Sequence, residues 1–347
     1  MLQIVNLTKL ASERALLTGL DGQHVLVVGI KGTWDLAADG TTALAEVQEP
    51  VALAPTHLND DEGATRLRDR QLTLDHDGTD VIINGAAHAP GGRPATEVVV
   101  KVTVGRVTLA FKVVGDRTWQ RGLTGVGPDD PQPFTTMPIL YERAFGGGHP
   151  VDAAPGISFD ERNPAGCGYC TEPGRLVGTP VPNLEPLDDP IFRARSGAER
   201  EVIGLSARPG HWRPRRDLGG TYDAAWQKER LPFWPADTKT GFFRCAAPPL
   251  QLAKPLIGHE TITLENMSPS GLLSFKVPRL VPTVRAKLGL TYIPMQAHLR
   301  RVIVEPDLGK LVLLWRAVLP CGLRGREIEK ISVDQKRIVR PGAAVPV

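Results

Sequence analysis

No stretch of this chain is apolar for long enough to cross a bilayer as a helix. Its longest apolar runs, Val25–Val28 and Leu311–Trp315, fall far short of the roughly 20 residues such a span requires. The first residues, MLQIVNLTKLASERALLTGL, lack a basic region followed by a continuous apolar core, so they do not read as a secretory signal and the expected address is the cytoplasm. Charge of one sign is also scarce. Forty-one basic residues against 38 acidic ones leave +3, too little for a nucleic-acid footprint. Aromatic residues make up only 5%, and cysteines number four in 347 residues, too few for a disulfide framework. Cys167, Cys170, Cys245 and Cys321 are therefore expected as reduced thiols. What the chain has in excess is turn chemistry: Gly 36 and Pro 31, with no repetitive tract.

Strand patterns dominate both ends. His24–Ile30, Asp80–Asn84, Glu97–Val104 and Arg106–Val114 are β-branched and bounded by turn residues. Val98, Val100, Val102 and Val104 fall on one face at period two, while Lys101 and Thr103 wet the other. Gly105 marks a tight hairpin between the last two runs. Strands are expected again at Glu260–Glu265, Gly271–Val277, Leu299–Val304 and Leu311–Leu319, with Glu305–Gly309 turning between the last pair. From about Arg121 to Pro255 periodicity vanishes under repeated Pro and Gly. Yet Trp212, Trp226, Trp234, Phe233, Phe242 and Phe243 lie there, and rings of that size call for burial. The segment reads as irregular but ordered, with one short helix over Ala224–Arg230 capped by Thr221 or Asp223. The expected fold is β-rich, mainly antiparallel and sandwich-like, with a long irregular middle and few short helices. Residues 1–120, 121–255 and 256–347 form the three regions. No clean linker divides the β regions, so one continuous domain is the alternative. The end, Pro341 to Val347, reads as a frayed tail.

Catalytic patterns do not assemble. There is no G-x-S-x-G elbow, no H-E-x-x-H pair and no phosphate-cradling loop. Cys167-Gly-Tyr-Cys170 has the spacing of half a zinc site or a redox pair, but it sits among turn residues, and Cys245, Cys321, His149 and His211 are scattered. Chance spacing is the preferred reading, and neither metal nor cofactor is expected. The stretch Arg193–Arg216 carries seven arginines against Glu199, Glu201 and the adjoining Asp217, a local balance of +4. Such a run is usually a solvated face or a set of internal ion pairs. As a partner-binding surface it would offer Arg208, Arg213, Arg215 and Arg216 to an acidic protein rather than to DNA. The remaining signatures are Asp116, Arg117 and Trp119; Tyr141, Glu142 and Arg143; Asn163; and Trp212, Tyr222, Asp223 and Trp226. Charges among them need partners once buried, and the expected role is to pin long loops.

Those signatures run in a fixed order: Lys31-Gly32-Thr33-Trp34, Thr79-Asp80-Val81, Gly115-Asp116-Arg117-Thr118-Trp119, Met137 through Gly147, and Asn163-Pro164-Ala165-Gly166. They continue with Pro182-Asn183-Leu184-Glu185, Trp212-Arg213-Pro214-Arg215, Gly220-Thr221-Tyr222-Asp223 with Trp226, and Ala246-Ala247-Pro248. In this order they resemble the family catalogued as domain of unknown function 2169, encoded near type VI secretion spike and effector genes. The resemblance runs from about Asn6 to Leu319. It implies a non-enzymatic cytoplasmic adaptor or chaperone that binds an effector and helps load it on the VgrG spike, with no nucleic acid or membrane as partner. It brings no catalytic residues, and Cys167 and Cys170 depart from its pattern. Two other classes stand beside it: a carbohydrate-binding β-sandwich using Trp212, Trp226 and Trp234 as platforms, and a hydrolase built on Asp and His groups in the middle loops.

Overall fold

The computed structural model describes residues 2–150, 157–197 and 199–335. The tail at 341–347 lies outside them. β-branched runs build two sheets. The larger has ten strands, seven of them on one path: Gln3–Asn6, Ile328–Gln335, Pro282–Leu288, Thr291–Glu305, Lys310–Pro320, His24–Leu36 and Ala11–Thr18. Its two end strands are consecutive in sequence, and Arg14 of one reaches back to donate to Leu2 O at 2.8 Å, so the sheet curls towards itself. Thr79–Ile83 joins it parallel to the second half of Thr291–Glu305, pairing Asp80 with Arg301. The smaller sheet is antiparallel throughout, in the order Leu184–Glu185, Val107–Val114, Glu97–Val104, Thr261–Glu265, Leu272–Lys276.

The fold is thus β-rich and mostly antiparallel, as the alternation in the sequence predicts. Val98, Val100, Val102 and Val104 are buried while Val99 is exposed. Val104 pairs with Val107 around Gly105 at φ +59°, the tight hairpin read from the sequence. Pro306–Leu308 forms a 3-10 turn between the two long strands, closed by Gly309 in the left-handed region. Both sheets feed one continuous apolar cluster, from Leu26, Val28 and Ile30 through Val100 and Phe111 to Ile262, Leu264, Val302 and Leu313.

On the seven-strand path of the large sheet four strands were not predicted: Gln3–Asn6, Ala11–Thr18, Pro282–Leu288 and Ile328–Gln335. The last lies among the charges of Arg324, Arg326, Glu327, Glu329 and Lys330, where no strand pattern stands out. Among the described residues one α-helix occurs, Ala224–Glu229, one residue shorter than expected, with Asp223 as its cap accepting from Trp226 N at 2.8 Å. No helix there is long and apolar enough to cross a membrane. The middle segment is a succession of two- to four-residue strands and 3-10 turns. It carries a second apolar cluster of Trp119, Val126, Cys170, Leu176, Val181 and Ile191.

Candidate functional site

Four of the family-like signatures, those of Asp116-Arg117, Tyr141–Arg143, Asn163 and Asn183–Glu185, converge on one another. Asp116 and Arg117 follow the strand Val107–Val114, Tyr141–Arg143 form a 3-10 turn, and Asn183 leads into Leu184–Glu185, which pairs with the end of Val107–Val114. Arg143 Nη1 donates to Asp116 Oδ1 at 2.7 Å and to Asn183 Oδ1 at 3.0 Å. Asn183 Nδ2 in turn donates to Asp116 Oδ1 at 3.1 Å and to Val114 O at 2.9 Å. Arg117 Nη2 bonds Glu185 Oε1 and, at 2.9 Å, Pro182 O. Glu142 turns the other way, where its carboxylate accepts from the backbone N–H and the hydroxyl of Thr65. Together these groups line an open polar cleft of about 540 Å³, with Cys167 and Asp129 at its wall.

Around this cleft the loops are held by amide and ring contacts. Asn163 Nδ2 donates to the carbonyls of Tyr141 at 2.8 Å and Phe145 at 3.0 Å. Tyr141 is buried, bonds Ser206 O at 3.0 Å, and meets Trp212 edge-on at 5.2 Å. Trp119 closes the neighbouring small cluster. Tyr222 and Trp226 form a separate edge-on pair at 4.7 Å by the helix.

Electrostatics leave the cleft with fixed charges. Partial burial pushes the Asp116 carboxyl up, but hydrogen bonds from Arg143 and Asn183 and the Arg143 charge outweigh it and hold it below the usual range. Burial pushes the Cys167 thiol up to about 12, so it stays protonated near neutral pH and is a poor nucleophile. Cys170 packs in the small apolar cluster, and burial raises its thiol too. Among the described residues no three His, Cys, Asp or Glu side chains are grouped to hold a metal. The cleft can therefore bind and orient charged groups through the carboxylates of Asp116 and Asp129 and the guanidinium groups of Arg117 and Arg143.

The four arginines proposed as one surface are not one surface. Arg208 is buried and donates to Arg162 O at 3.1 Å. Arg215 turns inward to Asp69 Oδ2 at 2.7 Å and to the carbonyls of Arg208 and Phe242. Only Arg213 and Arg216 are exposed, and both pair with Glu161, at 3.1 and 2.9 Å. The tryptophans do not make a row of open platforms either. Trp212 is buried, while Trp226 and Trp234 are half-buried with their indole N–H groups bonded to Phe233 O and Thr18 O.

A buried polar layer was not foreseen. Strand pairing places Lys31, Arg301 and Arg316 on the face of the large sheet opposite Ile30, Val302 and Trp315, where the 49–76 stretch covers them. Lys31 pairs with Glu49 at 2.9 Å, and Arg68 links Glu49 to Glu305. Asp80 has no exposed surface. It accepts from Arg244 at 2.9 Å and from the Cys245 N–H at 2.6 Å, joining the Thr79-Asp80 and Ala246-Ala247-Pro248 signatures. The signal lay in the sequence as charges inside apolar strands: Lys31, Arg301 beside Arg300, and Arg316.

The model of a family described as an uncharacterized protein conserved in bacteria (DUF2169) matches residues 21–316. No curated protein and no solved structure matches the chain.

Proposed function

We propose, from the premise that this chain belongs to the DUF2169 family, that it is a non-enzymatic adaptor of the bacterial cytoplasm. It holds a type VI secretion effector and promotes its loading on the VgrG spike. The observation that carries the reading is how the family-like residues spend their polar atoms. Asp116 is engaged by Arg143 and Asn183, Arg117 by Glu185, Glu142 by Thr65, and Asp80 by Arg244 and a backbone N–H. Catalysis needs a nucleophile or base within reach of a reacting atom. A scaffold needs long loops fixed in one arrangement, and these bonds supply that. The link to type VI secretion rests on the family resemblance and the gene neighbourhood that goes with it.

Co-expression with the effector encoded beside the gene is expected to give a complex that survives size exclusion. Deleting the gene is expected to stop secretion of that effector while other effectors still leave the cell. A parent protein that binds neither the neighbouring effector nor VgrG would exclude the adaptor role.

A further inference from the structure

A second cleft, of about 500 Å³, opens between the end of strand Ala11–Thr18, the 69–74 stretch and the segment from Pro232 to Phe243. Its wall is apolar, built from Leu17, Leu72, Trp234, Phe242 and Phe243. The three rings stand edge-on to one another, at 6.1 Å for Trp234–Phe242 and 5.5 Å for each of the other pairs. The Trp234 indole N–H donates to Thr18 O at 3.1 Å. The wall is therefore set before anything binds, which lowers the ordering cost of filling it. A cleft of this size, with an aromatic wall on one side and polar groups, Asp69, Arg70, Thr73 and Arg215, on the other, has the character of a binding site.

Its charged groups sort what can enter. Asp69 is already held by Arg66 at 3.0 Å and Arg215 at 2.7 Å, so it offers little to an incoming cation. Arg215 is spent on Asp69, on two carbonyls and on the Phe242 ring, 5.6 Å from its centroid. Arg70 differs. It is exposed at the rim, and among the described residues its guanidinium makes one hydrogen bond, from Nε to Leu53 O at 3.2 Å. Both terminal nitrogens remain for a ligand, and a guanidinium fork matches a carboxylate. The complementary partner has a large apolar group with an acid next to it.

We propose that this aromatic cleft is where the client docks: it takes a large apolar side chain from an extended client segment and seats a neighbouring carboxylate of that segment on Arg70. The identity of the occupant rests on the adaptor reading; the chemistry it must have rests on the cleft.

The probe for that chemistry is 8-anilinonaphthalene-1-sulfonate, an aromatic body with one anionic group. The parent is expected to bind it at one saturable site. Arg70→Glu, a surface change, is expected to weaken binding by about tenfold or more, and Thr73→Trp, which fills the cleft from its edge, to abolish it. Circular dichroism and melting curves check that both variants fold; Arg70→Glu decides the matter should Thr73→Trp fail to. The co-expressed neighbouring effector is expected to be lost from the same variants. Probe binding that neither variant alters overturns the site. Probe binding lost with effector binding intact overturns the docking role and leaves the adaptor reading standing. Probe binding by a parent that captures no effector overturns the adaptor reading, and the client as occupant with it.

Discussion

Arg117 and Arg143 line the same polar cleft, but their partners sit in different surroundings. The side chains of Arg117 and Glu185 are 7% and 2% exposed; those of Arg143 and Asp116 are 32% and 64% exposed. Removing Arg117 strands a buried carboxylate, a loss of about 3–5 kcal/mol. Removing Arg143 breaks a water-screened pair, worth about 1 kcal/mol or less, and a hydrogen bond to the Asn183 amide oxygen, worth about 1 kcal/mol more. Urea melts of Arg117→Ala and Arg143→Ala are expected in that order, and the reverse order would mean that the cleft is closed to water. The sequence placed both arginines in one loop-pinning group without ranking them, because burial is not written in a tripeptide. His76 gives a second residue-level expectation. Burial lowers its pKa from 6.5 to about 4, Arg316 adds to the effect, and Asp80 opposes it. Between those values the unfolded chain takes up a proton that the folded chain refuses, so stability falls as pH drops from about 6.5 towards 4. His76→Gln is expected to flatten that slope in urea melts taken across the window. It should not abolish it, since burial also lowers His211 and His298.

Strands were legible where one face is apolar and both neighbours are strands. Glu97–Val104 keeps its predicted bounds for that reason. Ala11–Thr18 was not legible because it ends the sheet and all but one of its residues are half-buried, so no apolar side stands out. Ile328–Gln335 hides Ile328, Ile331 and Val333 among charges that face outward. The middle segment shows no period because its elements are too short to have one, and side-chain bonds such as those of Asn163 and Asn183 replace the ladder. Two glycines separate turn chemistry from close approach. Gly105 turns a hairpin at φ +59°, and a Cβ there would meet nothing. Gly78 precedes Thr79–Ile83 at φ +74°, and its Cβ would fall 1.8 Å from Leu252 O. Gly105→Ala is expected to cost about 1 kcal/mol, the conformational term alone. Gly78→Ala should cost several times more, because backbone must move, and thermal melts of the pair decide this. Equal losses would show that the 252 backbone yields freely.

At the scale of the molecule, composition counted charges correctly and could not give their direction. The seven arginines between 193 and 216 read as one basic stretch, but Arg200, Arg208 and Arg215 turn inward to Asp189, a carbonyl and Asp69. Arg208 and Arg215 therefore cannot be tested as a docking surface apart from the fold. Arg213 and Arg216 can, since both are exposed. They share Glu161, and Arg213 also meets Asp217 at 3.2 Å, so two acids offset two bases at that spot. Exposed charges so compensated steer an approaching acidic partner weakly and are screened within about 10 Å at 0.1 M salt. The double variant Arg213→Ala, Arg216→Ala should keep the parent's melting temperature. It should slow association with the effector at low ionic strength, match the parent at high ionic strength, and leave the dissociation rate unchanged. Dissociation governs most affinity differences within one interface, and here it is expected to respond to Arg70 and the aromatic cleft instead. Association rates measured across ionic strengths, with dissociation followed by dilution, separate the two surfaces. A double variant that dissociates faster than the parent would place the client on the Arg213–Arg216 face and remove the aromatic cleft from the docking site.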